Sequence, residues 1–222
     1  MTTQPTYSDT AATDHLLTTT RSVRRRLDLD RAVPRELIEE CIDIAMQAPM
    51  GGNVVRCRWM VVDDPDIRRK IADHYRSAYR SYRVSAKERS AAAAGVDNTR
   101  IFASADHLAE VLDRVPVHLI PCHVAQAAGT DEYALSTLYG SVMPATWSLM
   151  LALRSRGLGS SLTTLHLQES AEIRSLLGIP DTATQIALIP IAWYTGNEFR
   201  RVKRTPAEHV TYWNHWKTRS AP

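Results

Sequence analysis

The sequence predicts one domain of mixed helices and strands, on three observations. Residues 142–153 are apolar nearly all round, broken only by Pro144, Thr146 and Ser148. A helix without a polar face must be buried on all sides, against its own domain or a partner chain. Leu37, Cys41, Ile44 and Ala48 recur at helical spacing, flanked by Ile38, Ile42 and Ala45, which marks a second helix with one broad core face. Residues 57–62 and 115–122 are short β-prone runs, the first closed by Asp63-Asp64-Pro65 and the second opened by Pro116.

The composition is that of a globular chain. At 222 residues, 44% hydrophobic and 23% charged, it has length for a real core in one domain. A net charge of +3 permits an anionic small ligand and does not demand nucleic acid. Cys41, Cys57 and Cys122 are odd in number and widely spaced. They argue against a disulfide framework or a zinc knuckle and fit a reducing cytoplasm. Residues 1–13 hold no apolar run, so neither a signal peptide nor a membrane anchor is expected there. They are expected to form a flexible tail ahead of a domain over 14–222.

In chain order, Asp14 is placed to cap a short helix carrying Leu16 and Leu17. Arg21-Ser22-Val23-Arg24-Arg25-Arg26 then packs four arginines and a serine into six residues. Planar guanidinium forks and a hydroxyl suit phosphate, while the plainer alternative is a solvated basic turn. Pro34 and Glu36 open the next helix, and Pro49 stops it. Gly51, Gly52 and Asn53 follow, with backbone freedom from the glycines and both donor and acceptor from Asn53. Residues 67–82 are helical, and Tyr75, Tyr79 and Tyr82 form a packing stripe rather than a stacking platform. Residues 85–98 turn charged, then Ala-rich, and are read as a mobile lid.

In the strand at 115–122, His118 and Cys122 share one face and His123 takes the other. A metal there would need further ligands at suitable spacing, so core or edge histidines are expected. Arg154 and Arg156 suit the end of the 142–153 helix, and Gly157 is its stop. Gly157-Leu158-Gly159 brings the chain round tightly into the small, β-prone residues 160–165, where main-chain groups can approach a flat ligand. His166 follows within reach of such a pocket, with no carboxylate partner nearby in sequence.

These pieces together resemble the nitroreductase family of FMN flavoproteins. The resemblance is carried by Arg21-Ser22-Val23-Arg24, Pro34-Arg35-Glu36, and Ala48-Pro49-Met50-Gly51-Gly52-Asn53 running into a strand. It continues through Gly140 and the apolar helix into Arg156-Gly157-Leu158-Gly159-Ser160, then Leu177-Gly178-Ile179-Pro180, a strand over 185–193 and Gly196. It closes with Arg204-Thr205-Pro206-Ala207-Glu208-His209-Val210, Trp213 and Trp216. The match spans about residues 16–216 in family order.

What the resemblance implies is specific. The fold would be an α+β three-layer sandwich, a mostly antiparallel sheet flanked by helices, in an intertwined homodimer. FMN would bind non-covalently across the dimer interface. Arg21, Ser22 and Arg24 would hold its phosphate and polar edge, joined by Arg204. Met50, Gly51 and Asn53 would come from the other subunit, and Leu162, Thr163 and Thr164 would lie beside the isoalloxazine. NADH or NADPH would reduce the flavin, and an electron-poor acceptor such as a nitroaromatic or quinone would take the electrons in a ping-pong cycle. No catalytic side chain, metal, membrane or nucleic acid is called for. The Arg rim slightly favours NADPH through its extra phosphate.

The chain also departs from the family pattern. Met50 stands where many relatives carry Ser, Trp147 where they carry Gln, and Arg56-Cys57 where Pro-Trp is frequent. No clear match exists for the Asn and Lys that some relatives place before the strand at Val115. Trp147 is expected in the core as a large aromatic on an apolar helix, with a flavin-edge role as the alternative. Rivals to an NAD(P)H-driven reductase are other chemistry on the same fold (reductive dehalogenation, flavin fragmentation, deazaflavin use) and a flavin-binding protein without turnover. A nucleic-acid binder using Arg21–Arg26 and Arg200–Arg204 would be colourless, with steeply salt-dependent binding.

Overall fold

The computed structural model describes residues 9–92, 99–124, 131–196 and 199–216. The chain forms two compact units, Thr20–Asn197 and one built from the two ends, Met1–Thr19 with Glu198–Pro222. In the unit of the ends, helix α1 spans Thr10–Thr19. Its cap is Asp9, whose carboxylate accepts from the N–H groups of Ala11 at 3.0 Å and Ala12 at 3.2 Å. The expected cap, Asp14, sits inside the helix, because Ala11 and Ala12 extend it N-terminally at little cost. The helix thus begins within the tail expected over 1–13, of which residues 1–8 lie outside the described residues. The C-terminal arm holds a 3-10 turn at Ala207–His209 and a Tyr212–Trp216 ring pair 4.5 Å apart.

The larger unit is α+β. Its helices are α2 (Arg35–Ala45), α3 (Pro65–Ala92), α4 (Thr99–Val111), α5 (Glu132–Ser155) and α6 (Ser170–Leu177). Its strands are β1 (Cys57–Val62), β2 (Val117–Val124), β3 (Leu158–Ser160), β4 (Ala183–Gln185) and β5 (Ile189–Trp193). They form one sheet in the order β1-β2-β5-β3, with β4 also on β2. Every pairing is antiparallel.

Strand β1 falls where its sequence pattern puts it; the other two shift for identifiable reasons. Strand β2 starts two residues late because the Val115 N–H is already spent on Leu112 O at 3.1 Å, and Pro116 has none to give. The run expected as one strand over 185–193 splits into β4 and β5 opposite Pro121. Pro121 O accepts from Ile186 N at 2.9 Å, but the ring has no N–H to return, so the ladder breaks there.

The core lies between the sheet and the pair α2 and α5. Ile38, Cys41 and Ala45 of α2 meet Leu149, Ala152 and Leu153 of α5 over Val117, Leu119, Leu158, Ile189 and Ile191. The buried stripe of α2 follows the 3-4 spacing of Ile38, Cys41 and Ala45, which turns Ile44, an expected core residue, out to 42% exposure. On the other face of β2, His118 Nε2 lies 2.8 Å from Leu112 O. Burial pushes His118 down to about 4. Among the described residues no three His, Cys, Asp or Glu side chains gather as a metal would need.

Helix α5 begins earlier than the apolar run, capped by Asp131, which accepts from Ala134 N at 2.9 Å. Arg156 and Gly157 end it, Gly157 at φ 81°. It is not buried on all sides in the single chain: Trp147, expected in the core, is 42% exposed. Helix α3 continues through residue 92, since the Ala- and charge-rich segment is a good helix former. The lid expected over 85–98 is therefore helix up to 92, and 93–98 lie outside the described residues. All three cysteines are buried thiols; burial raises Cys41, pushes Cys57 up to about 12 and Cys122 up to about 11. Among the described residues no helix is long and apolar enough to cross a membrane.

Candidate active site

The arginine-rich segment is strapped to the sheet. Val23 N donates to Ser160 O at 2.8 Å, and Asp28 N donates to Trp193 O at 2.7 Å. Between these ties Val23 and Leu27 are buried against β3. The approach is close enough to require Gly159: a Cβ there would lie 2.9 Å from Val23 Cγ1 and 3.2 Å from Leu27 Cδ2. Burying Val23 leaves Ser22 exposed and Arg21 and Arg24 half-buried beside it. A backbone tie thus holds a hydroxyl and two guanidinium groups at the end of β3.

Strand β3 runs on into the turn that contains Leu162, Thr163 and Thr164. Thr163 and Leu188 exchange two main-chain hydrogen bonds, 3.0 and 2.8 Å long, which pin the turn to the sheet. Leu162 and Thr163 are half-buried and Thr164 is exposed. The Thr163 hydroxyl lies 3.3 Å from the phenol of Tyr75 on α3 and accepts from Leu165 N at 3.5 Å. Burial raises the Tyr75 pKa, while the hydrogen bond to Thr163 and the nearby Arg24 charge pull the other way. The Arg24 charge is thus felt at the phenol that Thr163 contacts. His166, expected to reach toward the pocket, is fully buried with neither ring nitrogen hydrogen-bonded, and burial pushes it down to about 4.

Met50, Gly51 and Asn53 gather elsewhere, along α5. The 3-10 turn Gly51–Asn53 carries two left-handed residues, Gly52 at φ 63° and Asn53 at φ 56°. A Cβ on Gly51 would stand 3.1 Å from Ser141 Oγ. Met50 packs with Cys57, Leu138, Val142 and Ile186, while Gly51 and Asn53 are exposed. Val54 and Val55 next to this turn, and Tyr139 and Trp147 on α5, are exposed to solvent. Arg204 is exposed and belongs to the unit of the chain ends.

The single chain thus joins Arg21, Ser22 and Arg24 to Leu162, Thr163 and Thr164, and sets Met50, Gly51 and Asn53 apart. Sequence reasoning missed Tyr75 as a member of the first group. Its helical spacing with Tyr79 was visible, but the sequence carried no sign that its hydroxyl meets Thr163, 88 positions away. A cleft of about 250 Å³ between α2 and β1, lined by Arg35, Ile38, Glu39, Ile42, Val61 and Asp63 among others, holds none of the expected residues. A concave shape alone does not outweigh the donor cluster.

The family model described as "Nitroreductase family" matches residues 17–193. The chain belongs to the nitroreductase family. Solved structures agree at the level of fold. Nitroreductase A from Vibrio parahaemolyticus superposes with a TM-score of 0.68 at 15% identity, covering 94% of this chain and 78% of that one. A BluB-like flavoprotein from Clostridium difficile gives 0.67 at 18% identity, covering 89% and 96%. A point mutant of the FMN- and NADPH-dependent nitroreductase NfnB from a sphigopyxis strain gives 0.63 at 21% identity, covering 90% and 98%. No curated protein matches the chain by sequence. Nitroreductase family membership supports a flavin-linked oxidoreductase on an α+β fold with an antiparallel sheet.

Proposed function

We propose that this nitroreductase-family chain is an FMN-dependent oxidoreductase that uses NADH or NADPH to reduce an electron-poor acceptor, a nitroaromatic or quinone. The observation that carries the proposal is the Arg21–Arg24 segment strapped to the end of β3, beside the turn through Thr163 that Leu188 pins to the sheet. Two guanidinium groups and a hydroxyl beside a half-buried threonine turn fit an anionic, flat ligand, so the donor set suits FMN. When bound, FMN supplies two-electron chemistry, accepting hydride from the nicotinamide and passing two electrons to the acceptor that replaces it.

The chain's own part is binding and electrostatics. Arg21, Ser22 and Arg24 would hold the phosphate and polar edge through charge-assisted hydrogen bonds. Positive charge at that edge favours the electron-rich form of the cofactor. Leu162, Thr163 and Thr164 would lie against the ring system, with their main chain held by Leu188. Met50, Gly51 and Asn53 would complete the site from a second copy, because they sit on another part of the same chain. The exposed apolar residues Tyr139, Trp147, Val54 and Val55 support such a homodimer, since exposed apolar patches mark interaction surfaces.

Purification tests the proposal. The protein should be yellow and release FMN, not FAD, on denaturation, with no covalent flavin. Stopped-flow mixing with NADH and with NADPH should bleach the bound flavin faster than free FMN. A colourless protein that takes up no FMN on incubation overturns the proposal.

A further inference from the structure

Tyr75 is 2% exposed, and its hydroxyl has Thr163 Oγ1 as its hydrogen-bond partner at 3.3 Å. A buried phenol with one partner spends its O–H there, since an unmade donor bond costs more than an idle lone pair. Leu165 N–H also points at Thr163 Oγ1, at 3.5 Å. A hydroxyl has two acceptor sites and one proton. With both acceptor sites engaged, Thr163 has only its proton left to offer outward.

The Tyr75 ring is itself held from behind. Tyr79 stacks on it with ring centroids 6.2 Å apart and planes 10° apart. The Tyr79 hydroxyl donates to Asp106 Oδ1 at 2.6 Å, and Arg83 Nε donates to the same carboxylate at 2.9 Å. Tyr79 and Arg83 of α3 and Asp106 of α4 therefore fix a phenol whose one hydrogen-bond partner among the described residues is Thr163 of the candidate site.

We propose that Tyr75 is a positioning residue that sets the polarity of the Thr163 hydroxyl, making it an obligate donor toward the ligand. This rests on the flavin proposal above. A fixed donor prefers a ligand edge that accepts over one that donates. On a flavin, N5 accepts in the oxidised form and carries a hydrogen after reduction, so the fixed donor favours the oxidised form and lowers the two-electron potential. Removing the Tyr75 hydroxyl frees Thr163 to accept, and the preference relaxes.

The test compares wild type with Tyr75→Phe, reading FMN affinity by titration and midpoint potential by equilibration with a reference dye. Oxidised FMN should bind within about threefold of wild type, as expected for loss of a bond that does not touch it directly. The ratio of affinities for oxidised over reduced FMN should fall about three- to tenfold, and tenfold is about 30 mV in a two-electron potential. In a Thr163→Val background the same Tyr75 change should move the potential no further, which separates polarity from packing. If Tyr75→Phe does not fold, 3-fluorotyrosine at position 75, a stronger donor of nearly the same size, should shift the potential downward instead. An unchanged potential in wild-type-like, FMN-loaded Tyr75→Phe, or an equal shift with and without the Thr163 hydroxyl, overturns this inference alone. Failure of the wild type to take up FMN overturns the flavin proposal on which it stands.

Discussion

At the scale of single residues, the site depends on one missing methyl group. Gly159 lets the Val23–Leu27 segment lie flat on β3, and a side chain there meets Val23 at 2.9 Å. Gly159→Ala should cost about 1–3 kcal/mol as an overpacked contact. Relief by lifting the segment would move Arg21 and Arg24 with it. FMN uptake should therefore fall further than stability does, which parallel urea melts and flavin titrations would separate. Arg24 acts more directly: Arg24→Ala should weaken FMN binding by roughly 1.5–3 kcal/mol, as for a lost charge-assisted bond, and Asn53→Ala by about 1 kcal/mol. Both follow from isothermal titration of the apoprotein.

At the scale of elements, α5 has two different faces. Leu149, Ala152 and Leu153 are sealed in the core, whereas Tyr139 and Trp147 are 45% and 42% exposed. An apolar helix reads the same whether its second face meets its own domain or another chain, so sequence placed Trp147 inside. If that face joins two copies, Trp147→Lys should dissociate the dimer in sedimentation velocity without lowering the melting temperature of the monomer by more than a few degrees, while Trp147→Phe should leave it assembled. Strands were legible where no proline stands in the run itself, as in β1. They were misplaced where a proline reassigns hydrogen bonds: Pro116 delays the start of its own strand, and Pro121 breaks the ladder of a partner far off in sequence. The resemblance set Arg21, Ser22 and Arg24 beside Leu162, Thr163 and Thr164, and the Val23–Ser160 hydrogen bond puts the two segments next to each other in the fold. Tyr75 was not legible, since a helical tyrosine stripe looks the same with or without a buried partner.

At the scale of the whole molecule, two buried histidines tie stability to pH. His118 and His166 are both pushed down to about 4 by burial, against about 6.5 in an unfolded chain. Between these values the unfolded chain binds protons that the folded chain refuses, so stability falls as pH drops from about 6.5 to about 4. His166→Leu should make that loss smaller by about 1–3 kcal/mol, measured as the difference between urea midpoints at neutral and acid pH. Assembly gives the second test at this scale. Arg24→Glu and Asn53→Trp should each empty a homodimer of FMN. A tagged mixed dimer of the two variants should recover about one FMN per dimer, because one of its sites then combines both wild-type residues. An empty mixed dimer would put both residues on the same chain's cofactor.

If the acceptor is the quinone or nitroaromatic proposed above, the burial of all three cysteines bears on how the chain withstands its own products. Quinones and the nitroso products of nitro compounds alkylate or oxidise thiolates, and only the thiolate is reactive. Cys41 is held above its ordinary value, and Cys57 and Cys122 are pushed up to about 12 and about 11, out of solvent reach. A catalyst that generates electrophiles at its own surface would then offer them no nucleophilic sulfur, so repeated turnover should leave the thiol count unchanged until the chain unfolds.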